Sequence, residues 1–159
     1  LIGMDILANY VFQVDFDNNL FSLWDSLPED IKKKEDYIDA DFTGIPTIDV
    51  FINEKDPITS WIDTGAKISY INRNYVKYLE PSDNQKDFFP SYGEFEAPIY
   101  NIPLTFNGAV IPFKFGVLPE ALEGAMLSGS TSAIIGADIF YNFTLTFHFS
   151  KKKIHVTKI

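Results

Sequence analysis

A chain of 159 residues, 46% hydrophobic and 22% charged, can bury one domain with a true core and has no room for a second full-sized one. Its net charge of −9 argues against nucleic acid or an anionic membrane surface as partner, since both repel an acidic protein, and no apolar run is of transmembrane length. The absence of cysteine excludes disulfides, thiol nucleophiles and thiolate metal sites, and leaves the redox compartment open.

With 15 Phe and 8 Tyr the composition favours strands. In chain order, the first feature is an internal echo. "LIGMDILANYVFQVDFDNNLFSL" at 1–23 lies over "IIGADIFYNFTLTFHFSKKKIHV" at 134–156 without a gap. Ile2, Gly3, Asp5, Ile6, Asn9 and Phe16 fall on Ile135, Gly136, Asp138, Ile139, Asn142 and Phe149. Each copy reads as a short apolar strand ending in Gly, a helical turn, and a hairpin about a polar turn. Because the chain opens inside such a unit and without an initiator Met, residues 1–24 are expected to close a preceding lobe, of which the rest lies elsewhere.

Residues 25–40 turn to charge and proline and read as a linker with one helical turn. A complete lobe is expected over 41–159. Within it, 45–52 and 57–63 are strands joined by the turn 53–56, 72–80 is a short helix, and 81–95 is loop-like. The stretches 98–106 and 110–118 form a hairpin about the turn 107–109, Asn-Gly-Ala, and 120–132 is a mixed, small-residue segment. The expected class is all-β, a closed barrel lobe with short helices. His148 and His155 alternate along the last hairpin and read as surface polar residues, so no metal or other cofactor is expected. "NFT" at 142–144 matches a glycosylation sequon, but Asn142 belongs to the repeated segment and reads as structural. Asp5 and Asp138, which follow the echoed glycines, read as helix-start residues satisfying backbone N–H groups.

The stretch "SWIDTGAKISYI" at 60–71 places Asp63 after a bulky apolar run. A carboxylate entering an apolar environment is costly unless it is hydrogen-bonded, paired or protonated. The expectation is a strand that carries Asp63 inward, with Gly65 allowing a tight turn and Thr64 offering a hydroxyl to lock it. Such an aspartate suits general acid–base work on water, although Asp-Thr-Gly alone is also an ordinary turn tripeptide.

Together with "AIIGADIF" at 133–140, "WIDTGAKISYI" resembles the paired signatures of the retropepsin-like aspartic proteases, over roughly residues 45–159. The resemblance implies an acid-protease fold with Asp63 as catalytic carboxylate, Thr64 as the grip between two loops, and Gly65 and Ala66 shaping the active-site loop. It implies that Ile134, Ile135 and Gly136 pack beside that loop. It also sets "FFPSYGEFEAPIY" at 88–100 in the flap's place, with Tyr92-Gly93 similar to a pepsin-type flap tip and without the Gly-rich tip of retroviral members. Tyr92 reads equally as a substrate contact or as a loop aromatic packed on the surface. Ala66 stands where many pepsin-type enzymes have Ser, and the missing hydroxyl implies a less acidic activity optimum.

The implied chemistry needs two carboxylates about one water, and the chain has one such loop: in "DADFTG" at 39–44, Phe42 stands where an Asp is required. The second Asp is expected either from an upstream lobe, which the echo at 1–23 favours, or from a second subunit across a two-fold axis. The implied function is endopeptidase hydrolysis of an extended peptide, with this chain inactive as a monomer. The alternative is an inactive lobe of the same fold that binds peptides or serves in assembly.

Overall fold

The structure, a computed structural model, describes residues 2–33, 36–54, 57–128 and 130–159. Leu1, positions 34–35 of the linker, positions 55–56 of the 53–56 turn, and residue 129 lie outside the described residues. The chain divides into two units, Leu1–Ile48 with Ile139–Ile159, and Asp49–Asp138.

The first unit is a five-stranded antiparallel sheet. It contains β1 (Val11–Asp15), β2 (Leu20–Trp24), β3 (Tyr37–Asp39), β11 (Phe143–His148) and β12 (Lys153–Lys158), in the order β2-β1-β11-β12-β3. One face carries the apolar set. Phe12 stacks on Phe147 with ring centroids 4.5 Å apart, Phe42 meets Phe149 at 4.4 Å, and Leu145 and Ile154 are fully buried. The echo is realised in three dimensions. The helical turn α1 (Met4–Leu7) followed by β1 and β2 repeats the 3₁₀ turn Ala137–Tyr141 followed by β11 and β12. Both hairpins turn through a left-handed residue at the same echoed place, Asn19 (φ 53°) and Lys152 (φ 54°). Strands β1 and β11 pair so that Gln13 faces Thr146, its own echo counterpart, and the Gln13 amide donates to the Thr146 hydroxyl at 2.8 Å. The two hairpins are thus related by a local two-fold through that pair.

The linker segment is more structured than its composition suggests. Its helical turn is α2 (Glu29–Lys32), and Tyr37–Asp39 adds an edge strand to β12. Only three residues long and flanked by charge, β3 carries no periodicity that a sequence reading could detect.

The second unit is a seven-stranded sheet in the order β4-β5-β10-β6-β9-β8-β7, closed into a ring by a further β4–β8 pairing. Its strands are β4 (Thr47–Ile52), β5 (Pro57–Ile62), β6 (Ser69–Ile71), β7 (Asp83–Phe89), β8 (Gly93–Phe106), β9 (Ala109–Gly116) and β10 (Ala133–Ile135). Alternation along β4, β5 and β9 sends one face inward, with Val50, Ile52, Ile58, Ile62, Ile111, Phe113 and Phe115 buried. The β8–β9 hairpin turns at Asn107-Gly108 with φ of 47° and 75°, as a two-residue turn of that composition requires.

Three local expectations differ from the structure. Residues 83–89 are a strand: β7 pairs along its whole length with β8, and its mostly exposed side chains erase the apolar signal. In place of an irregular stretch, Glu120–Ser128 is a helix, α3, started by the Pro119 carbonyl, which accepts from the N–H groups of Leu122 and Glu123. At 72–80 helix is limited to the 3₁₀ turn Arg73–Tyr75, where the Asn72 side chain accepts from the Asn74 N–H at 2.9 Å.

Candidate active site

Strand β5 buries Ile58, Ser60 and Ile62 and ends at Ile62. The short strand β10 lies between β5, parallel to it with Ile135 opposite Ile62, and β6, antiparallel to it with Ile134 opposite Tyr70. The loop 63–68 therefore leaves one neighbour of β10 and returns along the other. Its first backbone group is tied down: the Asp63 N–H donates to the Ile135 carbonyl at 2.9 Å. The Ala66 N–H then donates to the Asp63 carbonyl at 3.1 Å, and the Gly65 N–H to Asp63 Oδ1 at 2.9 Å, so the carboxylate is oriented by its own turn.

Asp63, Thr64 and Gly65 are exposed in this chain. The expectation that the strand carries the charge inward is therefore corrected. The sheet stops one residue earlier, and the carboxylate stands past the end of β5 in solvent, where its charge costs little.

Behind the loop, Ile135 is fully buried and Gly136 touches the loop backbone. A Cβ on Gly136 would stand 2.5 Å from the Ile68 carbonyl oxygen and 2.8 Å from that of Ala66, so only glycine fits there. Ala137 N–H donates to the Ala66 carbonyl at 2.8 Å. Ser69, fully buried, donates its hydroxyl to Asp138 Oδ1 at 2.6 Å and its N–H to Asp138 Oδ2 at 2.9 Å, while Ser69 Oγ accepts from Gly136 N–H at 2.9 Å. Asp138 stands in the first turn of the 3₁₀ helix Ala137–Tyr141, as its position suggests, and is also a clasp across the loop's far end. Nothing local in the sequence reveals this, because the partners are 69 positions apart.

Tyr92 sits in the tight turn of the β7–β8 hairpin, 48% exposed, with its ring edge-on to Phe95 at 6.0 Å. Gly93 has φ +97°, which suits glycine at the turn's exit. The hairpin is tethered at a point the sequence did not mark. The buried Tyr70 hydroxyl donates to Asp87 Oδ2, and burial, followed by that hydrogen bond and then by the Asp87 and Asp138 charges, raises the phenol well above the ordinary tyrosine value. Tyr70 belongs to an apolar cluster with Ile68, Ala97, Ile99 and Leu118. Near β6, Glu123 of α3, 4% exposed, accepts from the Arg73 backbone N–H at 2.8 Å and pairs with its guanidinium.

Among the described residues no group of three or more His, Cys, Asp or Glu is arranged to hold a metal ion, and no helix is long and apolar enough to cross a membrane.

No protein-family model matches the chain, and no curated protein matches it. Solved structures do. A retropepsin-like aspartic protease from Rickettsia conorii superposes with a TM-score of 0.53 at 16% identity, covering 77% of this chain and 92% of that one. The EIAV protease complexed with the inhibitor HBY-793 matches with a TM-score of 0.44 at 21% identity, covering 64% and 89%. The simian foamy virus protease matches with a TM-score of 0.43 at 12% identity, covering 58% and 88%.

Proposed function

We propose that this chain, which has the fold of the retropepsin-like aspartic proteases, is one lobe of an aspartic endopeptidase. The observation that carries the reading is the loop at 63–66: an exposed Asp-Thr-Gly carboxylate with its backbone clamped to β10 and its carboxyl oriented by the Gly65 N–H. Asp63 acts as one member of a pair, and Thr64 faces its equivalent on the partner loop. Two carboxylates roughly 3 Å apart cannot both ionise, so one stays protonated and polarises the scissile carbonyl while the other takes the proton of the attacking water. The peptide lies extended beneath the β7–β8 hairpin, held by main-chain hydrogen bonds, with Tyr92 at the hairpin turn closing over it. The second aspartate comes from a partner lobe or subunit, so the monomeric chain is inactive.

The test is the assembled protein, wild type and Asp63→Asn, on a peptide library across the acidic to neutral range, with products read by mass spectrometry. Asp63→Asn loses cleavage by roughly a thousandfold or more while keeping the wild-type circular dichroism; cleavage by a verified monomer, or by the variant at wild-type rate, refutes the reading. One observation favours a second reading. Since Asp63 is solvated in this chain, keeping it imposes no folding cost that chemistry must offset, and a peptide-binding lobe without hydrolysis would retain it equally well. Saturable peptide binding by the assembled wild type with no cleaved product would select that reading.

A further inference from the structure

Residues directly opposite one another in adjacent strands share a face, and so do residues two apart along a strand. By that register Gln13, Thr144, Thr146, His148, His155 and Thr157 lie on one face of the five-stranded sheet, behind the face that carries Phe12, Phe147 and Ile154. Though polar, this face is covered: Thr146 and His155 are 2% and 8% exposed. The topology supplies the cover. β2 and β3 are the two edges of the sheet, four strand spacings or about 19 Å apart, so the chain between them crosses β1, β11 and β12. It crosses on the polar side, because Pro28, Asp30 and Ile31 line a cavity of about 500 Å³ together with Gln13, Thr144 and Thr157.

Two imidazoles on this face have no other use in the fold. The His148 and His155 rings are stacked with centroids 6.4 Å apart, and the Nδ1 atom of each is shut off from solvent without a hydrogen-bond partner among the described residues. Lys153 stands opposite His148 on β12 with its ammonium over the Tyr37 ring, and Lys151 lies in the turn between β11 and β12. β1 brings the uncharged Val11 and Gln13, and β3 brings Tyr37, opposite His155, and Asp39, opposite Lys153. Of the remaining charges, Asp30 faces the cavity beside Asp15, Asp17 and Lys158, Glu29 pairs with Lys32, and Asp25, Lys33, Asp36 and Lys152 are exposed. Burial first, and then the positive neighbours, hold both histidines below the ordinary imidazole value.

We propose that α2 and β3 form a strap that acid releases from the polar face of the sheet, with His148 and His155 as its paired proton sensor. Above about pH 6.5 both rings are neutral and the strap is closed. As the pH falls, each proton the pair takes up adds a positive charge beside Lys153 on a face shut off from water. Lifting the strap hydrates the rings and restores their ordinary basicity. The released form therefore binds up to two more protons, and its ratio to the closed form grows by up to about a hundredfold per pH unit. The strap is the element that yields: α2 has four residues and buries one, Ile31, and β3 is a three-residue edge strand, whereas β1, β11 and β12 are held by the aromatic set on their other face. The device takes nothing from the catalytic reading.

The test is amide hydrogen exchange of the full chain from about pH 7 to about pH 4.5, read by NMR as protection factors, which remove the pH dependence of chemical exchange. The reporters are the Lys32 N–H on the Pro28 carbonyl, the Ala40 N–H on the Lys152 carbonyl and the Val156 N–H on the Asp36 carbonyl. Their protection falls by about tenfold or more on acidification, while the amides paired between β1 and β11 hold within about threefold. The ring protons of His148 and His155 titrate within about one pH unit of that release. Substituting both, His148→Gln with His155→Gln, keeps the reporters protected near neutral pH and makes their protection independent of pH. Unchanged protection in the wild type overturns the proposal, as does an equal loss between β1 and β11, which marks cooperative unfolding. So does the wild-type fall persisting in the double variant, or imidazole midpoints more than about one unit from the release. Should the double variant not fold, the midpoints in the wild type decide by themselves.

Discussion

Replacing Gly136 by Ala sets a methyl carbon 2.5 Å from the Ile68 carbonyl oxygen, 2.7 Å from the Ile68 carbonyl carbon and 2.8 Å from the Ala66 carbonyl oxygen. All three are backbone atoms, so no rotamer change relieves them; β10 or the loop must move by most of an ångström. That motion strains overpacking contacts worth about 1–3 kcal/mol. It also weakens one of the bonds fixing the loop, Gly136 N–H to Ser69 Oγ or Ala137 N–H to the Ala66 carbonyl, for about 1 kcal/mol more. The smaller conformational freedom of the unfolded alanine chain returns up to about 1 kcal/mol. The net loss is about 1–4 kcal/mol, a fall in melting temperature of roughly 2–16 °C for a chain of this size. Urea unfolding followed by tryptophan fluorescence, with thermal circular dichroism beside it, measures both. Gly3→Ala is the internal control: its new methyl meets only the movable Asp5 carboxylate, and the loss stays within about 1 kcal/mol, the cost of alanine at a helix N-cap. A Gly136→Ala loss below about 0.5 kcal/mol, or equal losses at the two glycines, would refute the packing argument.

Ser69→Ala removes the hydroxyl bond to Asp138 Oδ1 and the acceptor of the Gly136 N–H, while the backbone N–H of residue 69 still donates to Asp138 Oδ2; the cost is about 1–3 kcal/mol, measured by urea titration. Tyr70→Phe leaves the ring packing intact but removes the bond to Asp87; stability falls by about 1–2 kcal/mol, and native-state hydrogen exchange rises selectively in β7. His148 and His155 are held below the ordinary imidazole value, first by burial and then by positive neighbours: Lys151 for His148, and His148 and Lys153 for His155. The Tyr37 ring also faces this pair, edge-on to His155 and beneath the Lys153 ammonium. Since the folded state resists protonation, the unfolded state binds more protons below about pH 6.5. Stability is complete above that pH and falls as pH drops through it toward the lower folded values. Urea midpoints across this window should decline for the wild type and flatten for His155→Gln; a midpoint that rises on acidification contradicts the assignment.

The strand-rich class, the hairpin at Asn107-Gly108 and the echo between 1–23 and 134–156 were legible in the residues, because turn chemistry and apolar alternation are properties of neighbours along the chain. So was the tight turn at Asp63-Thr64-Gly65, from its Asp and Gly. The strand β7 was hidden, because an exposed hairpin arm has no buried face to write a pattern, and α3 was hidden by its small residues. Where the carboxylate stands was hidden as well: whether Asp63 ends inside or outside depends on β5 stopping at Ile62, and that is set by the length of β10 beside it. Only folding brings Asp138 to Ser69, Asp87 to Tyr70 and Gly136 against the loop, since each contact joins segments that share no local signal. The sequence alone determined which residues repeat. The tertiary structure decided that Ile135, Ile139 and Phe143 are buried while their counterparts Ile2, Ile6 and Tyr10 are exposed, because burial depends on what surrounds a segment and not on the segment itself.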